Sequence, residues 1–98
     1  MSRTEALGYI IKREREKRNL LLRHVAAALD IDQALVSKFE HGDRMPTKEQ
    51  VVLLANYFHL NENDLMTAWL ADKIYTEVQY EKMALRAVKL VEKKLTSK

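Results

Sequence analysis

Cysteine is absent from the 98 residues, which excludes disulfides and thiolate metal sites and fits a reducing cytoplasm. Proline occurs once and glycine twice. That is too little turn chemistry for a sheet of short strands, so helices joined by short connections are expected. No apolar run approaches the ~20 residues that a membrane-spanning helix needs. The opening Met1-Ser2-Arg3-Thr4-Glu5 is polar and lacks the apolar stretch of a secretory leader. The chain is therefore expected to stay in the cytoplasm. There is no glycine-rich phosphate loop, and His24, His41 and His59 lack zinc-ligand spacing. Glu14 and Glu16 lie on a strongly charged helix, where solvation accounts for them. The expectation is a protein that is not an enzyme, with no cofactor and no metal.

What is present reads as one small folded unit, 47% hydrophobic and 32% charged. A net charge of +3 mildly favours an anionic partner. Residues 1–24 carry seven Lys/Arg against three Glu, whereas residues 25–59 carry three Lys/Arg against five Asp/Glu. The basic cluster fits a solvated helix face as well as one turned to phosphates, so charge alone leaves both open.

Apolar periodicity predicts six helices. The first spans about Thr4 to Arg18 with Leu7, Ile10 and Ile11 inward and Tyr9 beside them, and Asn19 ends it. A short helix, Leu22 to Leu29, is followed after Asp30-Ile31-Asp32 by another from Gln33 to His41, with Asp32 as a side-chain N-cap and Gly42 as the stop. Thr47 and Gln50 have capping-box spacing at the head of a helix over Lys48 to Phe58. Asn61 and Asp64 repeat that spacing before a fifth helix, which carries Leu65, Trp69, Leu70 and Ile74. The β-branched and aromatic run Tyr75–Gln79 predicts a break. A last helix, about Tyr80 to Leu95, has Ala84, Ala87, Val88, Val91 and Leu95 along one stripe.

The stretch from Leu22 to His41 fits two helices crossing steeply at a tight turn. Ala26, its fifth residue, is small where the second helix passes close above the first. Val25, Leu29, Ile31, Val36 and Phe39 fill the fourth, eighth, tenth, fifteenth and eighteenth positions, the inward ones, and all are apolar.

From Leu7 to Leu65 the chain resembles the phage-repressor-like (Cro/Xre-type) helix-turn-helix family. The resemblance is carried by Leu7-Gly8, Arg15, Leu20, Val25-Ala26, Leu29, Ile31, Val36-Ser37-Lys38-Phe39-Glu40, Gly42, Arg44, Pro46, Leu53-Leu54-Ala55 and Leu60…Leu65. It implies an all-α, five-helix repressor-like helix-turn-helix domain over residues 1–75, with an additional C-terminal helix in 76–98. It further implies a sequence-specific regulator of transcription, expected to repress, on double-stranded DNA. Arg15 aligns with an arginine that pairs with the glutamate ending the recognition helix, here Glu40. Gln33, Ala34, Ser37 and Lys38 fall at the base-contacting positions: Gln33 suits adenine N6/N7, Lys38 suits guanine O6/N7, and Ala34 suits a thymine methyl. Arg23, His24, His41, Arg44 and Lys48 are the candidate phosphate contacts, with Arg13 a weaker one. Two departures bear on binding. Leu21-Leu22 stand where the family commonly has Ser-Gln, and Asp30 stands at the usual turn glycine.

The Ala/Val/Leu stripe of the last helix needs a cover, since a lone helix of this length is marginal in water. It either folds back on its own domain or pairs with a second subunit, in which case Trp69, Tyr80, Ala84, Ala87, Val88, Val91 and Leu95 form the dimerisation surface. A homodimer would place two recognition helices about 34 Å apart on half-sites of a near-palindrome, ~10 bp centre to centre. An adaptor or antitoxin-like protein that binds an unidentified protein partner is the alternative use of the same fold. A membrane-surface role for the last helix is disfavoured by Glu81 and Glu92.

Overall fold

The computed structural model describes residues 6–97. Thr4 and the polar opening of the chain lie outside the described residues. The described residues form six α-helices and no strand: α1 Leu7–Lys17, α2 Leu22–Leu29, α3 Gln33–His41, α4 Lys48–Phe58, α5 Glu62–Val78 and α6 Ala84–Thr96.

The connections are made by specific residues. Asn19 adopts φ 56° just past α1, and Asp30 adopts φ 55° as the cap of α2, both in the left-handed region that Asn and Asp tolerate. Gly42 closes α3 at φ 79°. Thr47 and Gln50 form a reciprocal capping box, with Gln50 N–H donating to Thr47 Oγ1 at 3.1 Å and Thr47 N–H to Gln50 Oε1 at 2.8 Å. Asn61 Oδ1 caps α5 by accepting from Asp64 N–H at 2.9 Å.

Helix α1 packs chiefly on α3, α2 on α3 and α4, and α4 on α5. The core they enclose contains Leu7, Ile10, Ile11, Val25, Leu29, Val36, Phe39, Val51, Leu54, Phe58, Leu65 and Trp69. Each large side chain so buried contributes ~1.5–3 kcal/mol. Two close approaches hold the layers at short range. Ala26 lies buried under α3, and a Cβ on Gly8 would sit 2.5 Å from the Phe39 carbonyl oxygen and 2.6 Å from that of Glu40. Glycine is therefore required where α1 crosses the end of α3.

Several elements depart from the sequence expectation. Helix α1 begins at Leu7 rather than Thr4, and Leu7 N–H donates to Asp72 Oδ2 at 2.8 Å, a partner 65 positions away on α5. Asp32 occupies the N-cap of α3 but makes no side-chain cap bond; its carbonyl receives Leu35 N–H at 3.0 Å instead. Helix α5 runs through Tyr75 to Val78, so the expected division between residues 75 and 76 falls inside a helix. No glycine or proline interrupts that run, and once a helix exists each added residue gains a hydrogen bond. This outweighs propensity penalties of at most ~0.7 kcal/mol per residue. Helix α6 consequently starts at Ala84, with Tyr80 in the preceding turn and 91% exposed. Tyr9, expected on the apolar side of α1, is exposed, and Leu70 and Ile74 of α5 are about half exposed.

Candidate nucleic-acid interface

Helix α3 buries one face and presents the other. Val36 and Phe39 enter the core between α1 and α2, Leu35 is half-buried, and Gln33, Ala34 and Lys38 are exposed. Ser37 is half-buried at the edge of the same face. The four candidate base-contacting residues thus lie together on the start and outer side of one helix, as the i, i+1, i+4 and i+5 spacing requires. The chain supplies no competing partner for the Lys38 side chain: among the described residues its ammonium makes no ion pair or hydrogen bond.

The angle of α3 is fixed from behind by Arg15. Its Nε donates to Glu40 Oε2 at 2.7 Å, its Nη2 to Glu40 Oε1 at 3.0 Å, and its Nη1 to the Leu20 carbonyl at 3.0 Å. One planar guanidinium thereby ties α1, the α1–α2 turn and the end of α3 with a two-pronged grip on the carboxylate. The Glu40 side chain is 4% exposed and that of Arg15 13%. The Glu40 hydrogen bond outweighs desolvation and raises the Arg15 guanidinium above its ordinary value, so Arg15 is charged throughout the working pH range.

A second tie carries no mark in the motif. Glu14 is buried, not solvated as its charged neighbourhood suggests. Arg18 Nη1 donates to Glu14 Oε1 at 2.6 Å while its Nη2 donates to the Phe58 carbonyl at 2.6 Å, joining α1 to the end of α4. Arg13 Nε also reaches Glu14, at 3.3 Å. Burial pushes the Glu14 carboxyl up, but the Arg18 hydrogen bond, Lys17 and Arg13 together bring it below its ordinary value. The i, i+4 spacing of Glu14 and Arg18 is the available sequence signal.

The candidate phosphate contacts Arg23, His24, His41, Arg44 and Lys48 are all exposed. They come from the start of α2, the end of α3, the loop after it and the head of α4. The two histidines differ in chemistry. Leu21 N–H donates to His24 Nδ1 at 2.8 Å, so a neutral His24 carries its hydrogen on Nε2 and offers a donor to an anion. This ring takes the place of the missing capping carboxylate: its acceptor atom satisfies the N-cap amide of α2 although Leu21 itself cannot cap. At His41 the acceptor is the Ser37 carbonyl, 2.7 Å from Nδ1, so that nitrogen donates. A neutral His41 then has a bare Nε2, and it serves a phosphate only in its charged form.

Trp69 requires a correction. It is 7% exposed, and its indole Nε1–H donates to the Pro46 carbonyl at 2.8 Å. It therefore anchors the α3–α4 loop to α5 and is not available to a dimer surface. A buried indole needs an acceptor for its N–H, and the loop carbonyl supplies one. The remaining expected interface residues of α6 are accessible: Val88, Val91 and Leu95 are exposed, as is Ala87, with Ala84 half-buried.

Among the described residues no helix is long and apolar enough to cross a membrane, and no cluster of His, Asp or Glu is arranged to hold a metal ion.

A buried helix pair with an exposed second helix, braced from behind and edged with cations, defines a DNA-binding regulator of the helix-turn-helix class. The helix-turn-helix family model matches residues 11–65, more than half of the chain, which belongs to this family in its Cro/Xre-type form. No curated protein and no solved structure matches the chain.

Proposed function

We propose that this DNA-binding transcription regulator is a repressor. It acts as a cytoplasmic homodimer and reads a near-palindromic operator with two copies of α3. The observation that carries the reading is the two-faced α3, which buries Val36 and Phe39 and leaves Gln33, Ala34 and Lys38 outward. In this reading Gln33 and Lys38 hydrogen-bond base edges, Ala34 packs on a thymine methyl, and Ser37 completes the contact. Arg23, His24, Arg44 and Lys48, with charged His41, hold the flanking phosphates and set the register. Residues to about 75 form the DNA-binding unit. The segment beyond supplies the dimer contacts through Tyr80, Ala84, Ala87, Val88, Val91 and Leu95.

Selection from random duplexes tests this with the wild-type chain and Lys38→Ala. The expected result is an enriched palindrome for the wild type and no preference at one symmetric base position for the variant. No enrichment even at low salt would turn the assignment toward an adaptor that keeps the fold and binds protein.

A further inference from the structure

His41 is the last residue of α3 and follows Ala34 and Ser37 at i+7 and i+4, so its exposed ring continues their side of the helix. Its Nδ1 lies 2.7 Å from the Ser37 carbonyl oxygen. A bare Nδ1 would set two lone pairs against each other at that distance, so Nδ1 carries a hydrogen whatever the charge of the ring. The chemistry offered to DNA is then decided at Nε2, an acceptor in the neutral ring and a donor in the charged one. A phosphate diester accepts hydrogen bonds and has no hydrogen to give. The surroundings do not commit the ring elsewhere. It lines a cavity with Tyr9 and Lys12 of α1, Glu40, Arg44 of the following loop and Asp72 of α5. Glu40 is held by Arg15, and Asp72 Oδ2 accepts from Leu7 N–H. Helix α2, which also packs on α3, brings no charged group to that cavity. Among the described residues the hydrogen bonds of the His41 ring go to Ser37 alone, and it makes no ion pair.

We infer that DNA binding by this chain is linked to the uptake of a proton at His41, so that operator affinity rises as the pH falls. The inference rests on the DNA reading above and adds its regulation. Histidine is the side chain whose ordinary titration falls between about pH 5 and about pH 8. The other types among the candidate contacts do not change state there: lysine and arginine stay cationic, and glutamine, alanine and serine stay neutral. His24 differs from His41 because Leu21 N–H donates to its Nδ1 at 2.8 Å. Its neutral ring already offers Nε2–H outward, and a proton added at Nδ1 would release the amide that it caps. His59 lies at the far end of α4 from Lys48 and makes none of the candidate contacts. The proton requirement therefore falls on His41. At high pH the complex must take up a proton that the free ring lacks, which weakens binding by up to about tenfold per pH unit for each subunit. At low pH the ring is charged before it binds, and affinity levels off.

Fluorescence anisotropy with the selected operator tests the inference, at fixed ionic strength and from about pH 6 to about pH 8. The chains are wild type, His41→Gln, His41→Arg and His24→Gln, the last of which keeps a cap acceptor at position 24 and removes the titration there. The expected result is wild-type binding at least about fivefold tighter at about pH 6 than at about pH 8, with unchanged helical circular dichroism. Both His41 variants should lose that difference, the first because its side chain never charges and the second because it is always charged. His24→Gln should keep it. A wild-type affinity independent of pH, or a dependence that survives in His41→Gln, would overturn the inference while leaving the DNA reading in place. A chain that selects no duplex at any of these pH values fails that reading and removes the inference with it.

Discussion

Arg15 and Glu40 lie 25 positions apart in sequence and share two hydrogen bonds, at 2.7 and 3.0 Å, behind the exposed face of α3. Because Glu40 is the more deeply buried partner, removing the arginine leaves the worse orphan. Arg15→Met is expected to cost ~3 kcal/mol or more and Glu40→Gln less. The double variant Arg15→Met/Glu40→Gln is expected to recover part of that stability, because it leaves no uncompensated charge. Urea denaturation of all four proteins gives the coupling energy directly.

Glu14 gives acid stability a particular form. Its carboxyl is held below its ordinary value in the folded chain. It therefore adds stability that is present above its unfolded pKa of ~4.3 and is lost as the pH falls toward the folded value. The destabilisation caused by Glu14→Gln is expected to be largest at neutral pH and to shrink steadily below about pH 4.3. Thermal melts of both proteins between about pH 7 and about pH 3 check this. A penalty independent of pH would mean that the carboxylate's charge contributes nothing.

Gly8 tests how tightly α1 is set against α3. Alanine is the better helix former by ~1 kcal/mol, yet its Cβ would meet two backbone carbonyl oxygens within 2.6 Å. Backbone has no rotamer in which to retreat. Gly8→Ala is therefore expected to destabilise by at least ~2 kcal/mol net, and to weaken DNA binding beyond the reduction in folded protein, because α3 must tilt. Stability from denaturation, set against affinity measured well below the melting temperature, separates the two effects.

Trp69 and Pro46 make the corresponding test for the loop. Trp69→Phe keeps most of the apolar bulk but removes the donor to the Pro46 carbonyl. Leaving that buried acceptor unpaired is expected to cost ~1–3 kcal/mol. Amide exchange in residues 42–47 should quicken more than in α1, a readout that uniform destabilisation would not give.

The extent to which the sequence spoke follows from the range of each interaction. The bounds of α2, α3 and α4 were legible because their punctuation is local: Asp30, Gly42 and the Thr47/Gln50 pair lie within a turn of the backbone they satisfy. Leu7 against Asp72 and Trp69 against Pro46 were not, since neither partner carries a mark of the other. Trp69 misled for a physical reason: an aromatic at helical spacing fits a core and an interface equally, and only packing decides. The expectation for Glu14 failed because a run of neighbouring charges on one helix looks solvated until a second helix end, at Phe58, closes over Arg18. On α3, position in the motif was enough to bring Gln33, Ala34, Ser37 and Lys38 to one face.

Arg44 separates positioning from reading. It lies exposed in the loop after α3 and, among the described residues, makes no ion pair or hydrogen bond through its side chain. Its guanidinium is thus available to a phosphate without first breaking an internal contact. If it neutralises one phosphate, Arg44→Ala should weaken binding to every sequence by a similar factor. It should also flatten the plot of log affinity against log salt by ~0.9, the slope that one neutralised phosphate contributes. Lys38→Ala, in contrast, should change which base is preferred at one position. Titrations of the selected operator and of scrambled duplex at several salt concentrations distinguish them. An Arg44→Ala variant with an unchanged salt slope would remove this residue from the backbone contacts and leave the flanking phosphates to Arg23, His24, His41 and Lys48.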